Sequence, residues 1–310
     1  MKPLNLVILL FPKFAMGLIL LFSLLSLQTT ITTAHAQPPA SSIWTVEFSL
    51  DESSPKTVDN YRFLSNFNKG GYNNQVWFTA EKTLLFSAAK IINTNIYKAD
   101  LTKGSLRQIT DTEESEFSPQ LVKEGRYYNW IRLEKDGTQR LWQAPADHSN
   151  NGFPVTPIDL KVGYYQRIDD AVVALFVLRE NHNELVLLDL NTEREKFLAR
   201  NPGRSLQLGD DGLLYYTIQR SQNNFILYSY DHNSGNSQML VRLPAGSTGD
   251  ISIGPDGYIL TFSGEYLLGF RPEVDSSWRN LIRLKGMENK TLSRLSYNGN
   301  GILAFVLEEN

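Results

Sequence analysis

The acidic side chains are the first place to look for chemistry in this chain. Glu113, Glu114 and Glu116 crowd one short stretch, Asp169-Asp170 and Asp210-Asp211 are adjacent pairs, and Asp250 is followed closely by Asp256. Two carboxylates facing each other across a substrate can cleave a glycosidic bond, one as acid and the other as base or nucleophile. Glu116 and Asp250 come nearest to the strand-start positions such a pair would need. Asp210, Asp211 and Asp256 fall in tight turns, where Asp commonly bonds its own backbone. Turns of that kind could hold a structural calcium; no cofactor beyond that is called for. His35 lies near the N-terminus, and His148, His182 and His232 fall in separate expected loops, so neither a metal cluster nor a Ser–His–Asp set is supported. The chain has no cysteine, which removes disulfides, thiol catalysis, a thiolate zinc site and a lipid-modified N-terminal cysteine. No G-x-S-x-G elbow is present. A formal net charge of −3 over 310 residues also argues against a nucleic-acid partner.

Positioning any of these groups falls to a repeated unit. Asn74 to Thr110 holds four short strand-like pieces, and the layout returns about every 40–45 residues, the period of a propeller blade. Within it Leu84–Ala88 (LLFSA) is a compact apolar run, and Asn95–Leu101 (NIYKADL) alternates apolar with polar before Lys103-Gly104. Four more units follow. Their second strands are Tyr127–Leu133 (YYNWIRL), Val172–Leu178 (VVALFVL), Leu213–Gln219 (LLYYTIQ) and Tyr258–Ser263 (YILTFS). Such strands are covered on both faces by neighbouring blades, so alternation fades into near-continuous hydrophobicity. Leu85, Phe86, Ile131, Leu175, Phe176, Tyr215, Leu260, Phe262, Leu303 and Phe305 are the expected core. Trp77, Trp130 and Trp142 fall within strands and read as blade packing. Trp278 sits in the long polar connection PEVDSSWRN, either as a partner contact or as a staple of that loop.

The two ends of the chain complete the count. Leu292–Ser296 and Ile302–Leu307 make only half a unit, and Ile43–Leu50 with Tyr61–Ser65 make the other half, with DESSPK as a turn between them. The expectation is all-β: a six-bladed β-propeller whose last blade is closed by N-terminal outer strands and C-terminal inner strands. It would occupy residues 43–310 as a single domain.

Ahead of it, residues 1–36 read as a signal peptide. Phe14–Leu27 is an unbroken apolar run behind Lys13, and Ala34-His35-Ala36 is the small-x-small pattern that precedes cleavage before Gln37. Retention as a membrane anchor is the competing reading, although Pro12 and Lys13 interrupt the longer apolar segment. Residues 37–42 (QPPASS) read as a linker. The mature chain would be periplasmic or extracellular, with no membrane segment after cleavage.

Ser118-Pro119, the turn Gly254-Pro255-Asp256-Gly257, and the segments NIYKADL and RQIT resemble the TolB-type, WD40-like bacterial propellers built from PD40 repeats. The first unit keeps Phe78-Thr79, Leu85-Phe86-Ser87, Ile96-Tyr97, Asp100 and Ile109-Thr110 of that pattern; the second keeps Pro119 and a Lys123-Glu124-Gly125 version of the turn. The resemblance implies an exported propeller that docks a protein or peptide in the cell envelope. TolB carries an α/β domain before its propeller, and no such segment fits between Gln37 and Trp44.

Repeat alignment puts Asn73, Asn74, Glu116, Tyr164, Tyr165, Arg204, Asp250 and Arg294 at the starts of the innermost strands, around the funnel mouth. The set is polar and aromatic with no single sign of charge, which suits docking through hydrogen bonds. The expected function is a non-catalytic module binding a protein or peptide partner. The alternative is a hydrolase or lyase on the same fold, of lactonase or glycosidase type, with funnel carboxylates.

Overall fold

The computed structural model describes residues 38–50, 55–89 and 93–309. The expected signal peptide, the expected cleavage point before Gln37 and most of the expected DESSPK turn lie outside the described residues. No helix among the described residues is long and apolar enough to cross a membrane.

Six sheets follow one another along the chain, antiparallel throughout except for one added parallel edge strand in the fifth. Blade 1 runs from Tyr72 to Gln108, blade 2 from Ser115 to Pro154, blade 3 from Val162 to Arg200 and blade 4 from Pro202 to Arg242. Blade 5 spans Ser252 to Leu284, and blade 6 joins Thr291–Tyr297 and Ile302–Glu308 to Ser41–Glu47 and Tyr61–Phe63. The C-terminal pair supplies the inner strands of that last blade and the N-terminal pair the outer ones. Trp44 is paired with Phe305 on one side and Phe63 on the other. The ring is closed by strands from opposite ends of the chain, so it has no open seam.

Packing follows the gradient read from the sequence. The second strands are the most enclosed, with Leu84–Ala89 buried throughout and the middle five residues of Val172–Leu178 buried. All ten expected core residues are buried. Fourth strands such as Ser105–Gln108 and Asn236–Arg242 are largely exposed. The buried apolar residues form clusters that lie between blades rather than within them. Val46, Phe48, Leu303 and Phe305 of blade 6 meet Leu260, Phe262 and Leu267 of blade 5, while Ile43 and Val306 meet Leu84 and Phe86 of blade 1. Each large side chain buried in this way contributes roughly 1.5–3 kcal/mol. The hairpins between third and fourth strands repeat one device. Asp100, Asp189 and Asp231 each accept the backbone N–H two residues on, at 3.0, 2.9 and 2.9 Å, the local bond that makes Asp a turn residue.

Three details differ from the sequence reading. The closing strand starts at Ser41, with Ser41 and Ser42 buried, so the end of the expected linker is part of the sheet. Ser65 leaves the expected strand for a short 3-10 turn, Ser65–Asn68. Lys56–Val58 is a fifth strand on the outer edge of blade 5, parallel to Arg279–Leu284 with Lys56 opposite Ile282. Three residues are too few for an alternation signal, so nothing local announces this pairing.

Candidate functional site

A central cavity of about 70 Å³ is walled by the innermost strands of blades 1, 2, 3, 4 and 6 and by Asp250 in the segment leading into blade 5. The strands reach it by a common irregularity. In blades 1, 2, 3, 4 and 6 the pairing between first and second strands slips at the channel, between Asn74 and Trp77, Phe117 and Gln120, Val162 and Tyr164, Pro202 and Leu206, and Ser293 and Ser296. A bulge adds an unpaired residue, bends the strand and re-aims its side chains. Three of the residues concerned carry a left-handed backbone although none is glycine: Gln75 at φ 60°, Ser118 at φ 53° and Arg294 at φ 50°. That conformation costs a non-glycine residue roughly 1–2 kcal/mol, and such strain collects at functional sites. The bulges also link neighbouring blades, since the Ser118 N–H donates to Gln75 Oε1 at 2.8 Å and the Arg294 N–H to Asp250 Oδ2 at 3.1 Å.

Asp250 organises the charges. Arg204 holds it in a two-pronged pair, Nε to Oδ1 at 3.0 Å and Nη2 to Oδ2 at 2.8 Å, and Thr248 Oγ1 donates to Oδ2 at 2.9 Å. Burial alone would raise the Asp250 carboxyl, yet the Arg204 and Arg294 charges and these donors hold it well below the usual carboxylate range. The Arg204 guanidinium is shifted upward by the same pairing, which outweighs its own burial. Arg294 reaches across the ring instead. Its Nη2 donates to the Tyr164 hydroxyl at 2.8 Å, and its guanidinium carbon lies 4.8 Å from the centroid of the same ring. Blades 3 and 6 face each other in a ring of six, so this contact spans the channel. Burial works to raise the Tyr164 phenol, but the two arginines carry it below its ordinary value. For Tyr72 and Tyr165, burial prevails and the phenols are pushed up.

Of the residues expected at the funnel mouth, the structure brings together Tyr164, Tyr165, Arg204, Asp250 and Arg294. The other three are placed elsewhere. Asn73 is fully buried and ties blade 1 to the closing strand, its Nδ2 donating to the Ser41 carbonyl at 2.8 Å and its own carbonyl accepting from Ser41 Oγ at 2.9 Å. Asn74 caps the strained turn, its Oδ1 accepting the Gln75 N–H at 2.8 Å. Glu116 is fully buried between blades 1 and 2, where Thr110 and Thr112 hydroxyls donate to it and Arg132 Nε lies 3.3 Å away. Its burial pushes the carboxyl up from 4.5 to about 7. The physical reason for the miss is the bulge. In blades 1 and 2 the side chains that face the cavity are Gln75, Trp77, Ser118 and Gln120, beyond the slip in register and therefore after the strand start. Gln75 and Ser118 left a faint trace in the sequence, as polar residues inside otherwise strand-like segments.

Asp250 is the carboxylate among the residues that line the cavity, and a second acid, Glu308, reaches the same Arg204 Nη2 with Oε1 at 3.6 Å. Among the described residues no group of three or more His, Asp or Glu side chains could hold a metal ion. Asp211 is used within its own turn, accepting the Leu213 N–H at 3.0 Å and the Tyr215 hydroxyl at 2.6 Å. His148, His182 and His232 lie in separate turns. Trp278 acts as a staple: it packs against Phe270 of blade 5 and its indole N–H donates to the Arg242 carbonyl of blade 4 at 2.9 Å.

These features define a six-bladed β-propeller with a polar and aromatic centre. Solved structures share the fold at low sequence identity. A TolB candidate from Agrobacterium tumefaciens superposes with a TM-score of 0.62 at 12% identity, covering 88% of this chain and 99% of that one. TolB from Acinetobacter baumannii gives 0.53 at 14% identity over 87% of this chain; the match spans 64% of that protein's length. A chain of the nidogen/laminin complex gives 0.53 at 11% identity, over 77% of this chain and 93% of that one. No family model matches the sequence, and no curated protein matches it.

Proposed function

We propose that this chain is an exported, non-catalytic propeller whose channel mouth docks an extended segment of a protein or peptide partner. The observation that carries the reading is the wall of the cavity. The innermost strands of blades 1, 2, 3, 4 and 6 converge on it with Asp250, and their bulges turn polar and aromatic groups inward at a cost in backbone strain. A chemistry of proton transfer would call for an acid or base free to exchange its proton, whereas Arg204 holds the Asp250 carboxylate in its charged form and also pairs with Glu308. Hydrogen-bonding side chains around an aromatic wall suit recognition of a peptide. The apolar run of residues 14–27 and the Ala34-His35-Ala36 pattern support export to the periplasm or the exterior. The fold shared with TolB structures is consistent with such a setting.

The test is capture from an envelope extract with tagged residues 37–310, alongside a folded Trp77→Ala, Gln207→Ala variant in which two cavity-wall side chains are removed. A reproducible partner held by the parent and released by the variant is the expected result. Turnover of glycoside or lactone substrates by a preparation that retains no partner would overturn the reading.

A further inference from the structure

The two arginines of the channel are in different states. Arg204 has its fork on Asp250. The Arg294 guanidinium donates through Nη2 to the Tyr164 hydroxyl, and no ion pair joins that guanidinium to a carboxylate within 4 Å among the described residues. Its buried Nε–H has no hydrogen-bond partner among them either. Three other residues of the same wall are in a similar condition: Ser118 Oγ, Gln120 Oε1 and the Tyr165 hydroxyl are buried without a partner among the described residues, with Gln120 only 6% exposed. Buried polar groups are nearly always satisfied, so four orphans on one cavity wall are an uncommon concentration. Arg294 and Ser118 are also two of the three strained bulge residues.

Charge and size narrow what would satisfy them. Arg204 is compensated by Asp250 and by Glu308, whose Oε1 lies 3.6 Å from its Nη2, so Arg294 is the wall arginine whose guanidinium has no carboxylate partner among the described residues. One such guanidinium suits a monoanion and disfavours a phosphate dianion, which the two acids would repel. An arginine fork matches the two oxygens of a carboxylate. A cavity of about 70 Å³ has room for such a group together with the atoms that carry it. We propose that the channel is a carboxylate-binding site, in which Arg294 takes the anion, the Ser118 hydroxyl donates to it, and Gln120 Oε1 accepts an N–H from the same segment. That a peptide carries the carboxylate rests on the docking reading above; the site's preference for the anion does not.

The probes are acetate, N-acetylglycine, N-acetylaspartic acid α-amide and the uncharged N-acetylglycinamide, titrated into residues 37–310 while the Trp77 indole N–H resonance is followed. Saturable shifts with the three acids and none with the amide are expected, at millimolar affinity or roughly that order for ligands so small. The ranking of N-acetylglycine against the aspartyl amide separates a chain terminus from a side-chain carboxylate. Arg294→Gln, verified as folded by its dispersed spectrum, should weaken acetate by roughly tenfold or more, and Ser118→Ala by a smaller factor. Equal responses to acids and amide, no saturable response to any probe, or undiminished affinity in Arg294→Gln would each overturn the proposal. Carboxylate binding without partner capture would sink the docking reading alone, and capture without carboxylate binding would sink this one alone.

Discussion

Asp250 sets the electrostatic order of the channel at the level of single residues, because it is buried and meets both arginines' strands. Removing one member of a buried pair leaves the other charge without compensation, which costs about 3–5 kcal/mol. Asp250→Asn should therefore lower unfolding stability by about that amount in urea melts, whereas a joint Arg204→Leu, Asp250→Leu change should lower it less. Equal losses would mean that the pair's geometry, and not its charge balance, is what matters. Because the folded-state pKa of Asp250 is depressed, its contribution is full above the ordinary aspartate range and is lost as pH falls below it. Glu116 has the opposite sign. Its folded pKa is raised from 4.5 to about 7, so the folded state holds the proton more tightly and stability falls as pH rises through that window. Relative to Glu116→Gln, the parent should lose about 3 kcal/mol between pH 4.5 and 7 and stay level above it. Parallel stability curves for the two proteins would contradict this.

At the scale of the strand, the bulges of the innermost strands are the feature that converts a structural repeat into a site. In blade 4 the device depends on a close approach. A Cβ on Gly203 would lie 2.0 Å from Thr217 Oγ1, which itself donates to the Gly249 carbonyl at 3.1 Å. Gly203→Ala should displace the strand that carries Arg204, with a loss of about 1–3 kcal/mol from overpacking. It should also loosen the Arg204 pair, read as a shift of the Asp250 carboxyl carbon resonance. An unshifted resonance would show that the strand and the pair are uncoupled. The bulges also mark where reading the sequence reached its end. Tyr164, Arg204, Asp250 and Arg294 stand out as polar or charged residues at strand starts, and alignment by repeat puts them on the channel. Asn73 and Glu116 occupy matching positions in the chain, but the slip in register leaves them behind the wall, bonded to Ser41 and to Thr110. A one-residue irregularity moves side chains to the other face of a strand, and no composition or periodicity signal records it.

For the whole molecule, the architecture was far more legible than the site. Blade count and closure follow from apolar runs at a fixed period and from two unpaired strands at each end of the chain, and those signals are averaged over many residues. Lys56–Val58 escaped because its pairing with Arg279–Leu284 joins residues far apart in sequence. Closure makes a sharp prediction. Ile43, fully buried between blades 6 and 1, should lose about 2–5 kcal/mol on truncation to alanine, the same as a second-strand residue such as Leu175. A much smaller loss in urea denaturation would mean the N-terminal strand is a peripheral addition. The central claim is that the channel is where a partner docks. It is tested most directly by placing a photo-crosslinking side chain at position 77, on the cavity wall, and in parallel at position 197, on an exposed outer strand. The expected result, with the tagged protein illuminated in intact envelopes, is a discrete protein adduct from position 77 that position 197 does not give. Adducts from 197 with none from 77 would place recognition on the outer surface and contradict the account.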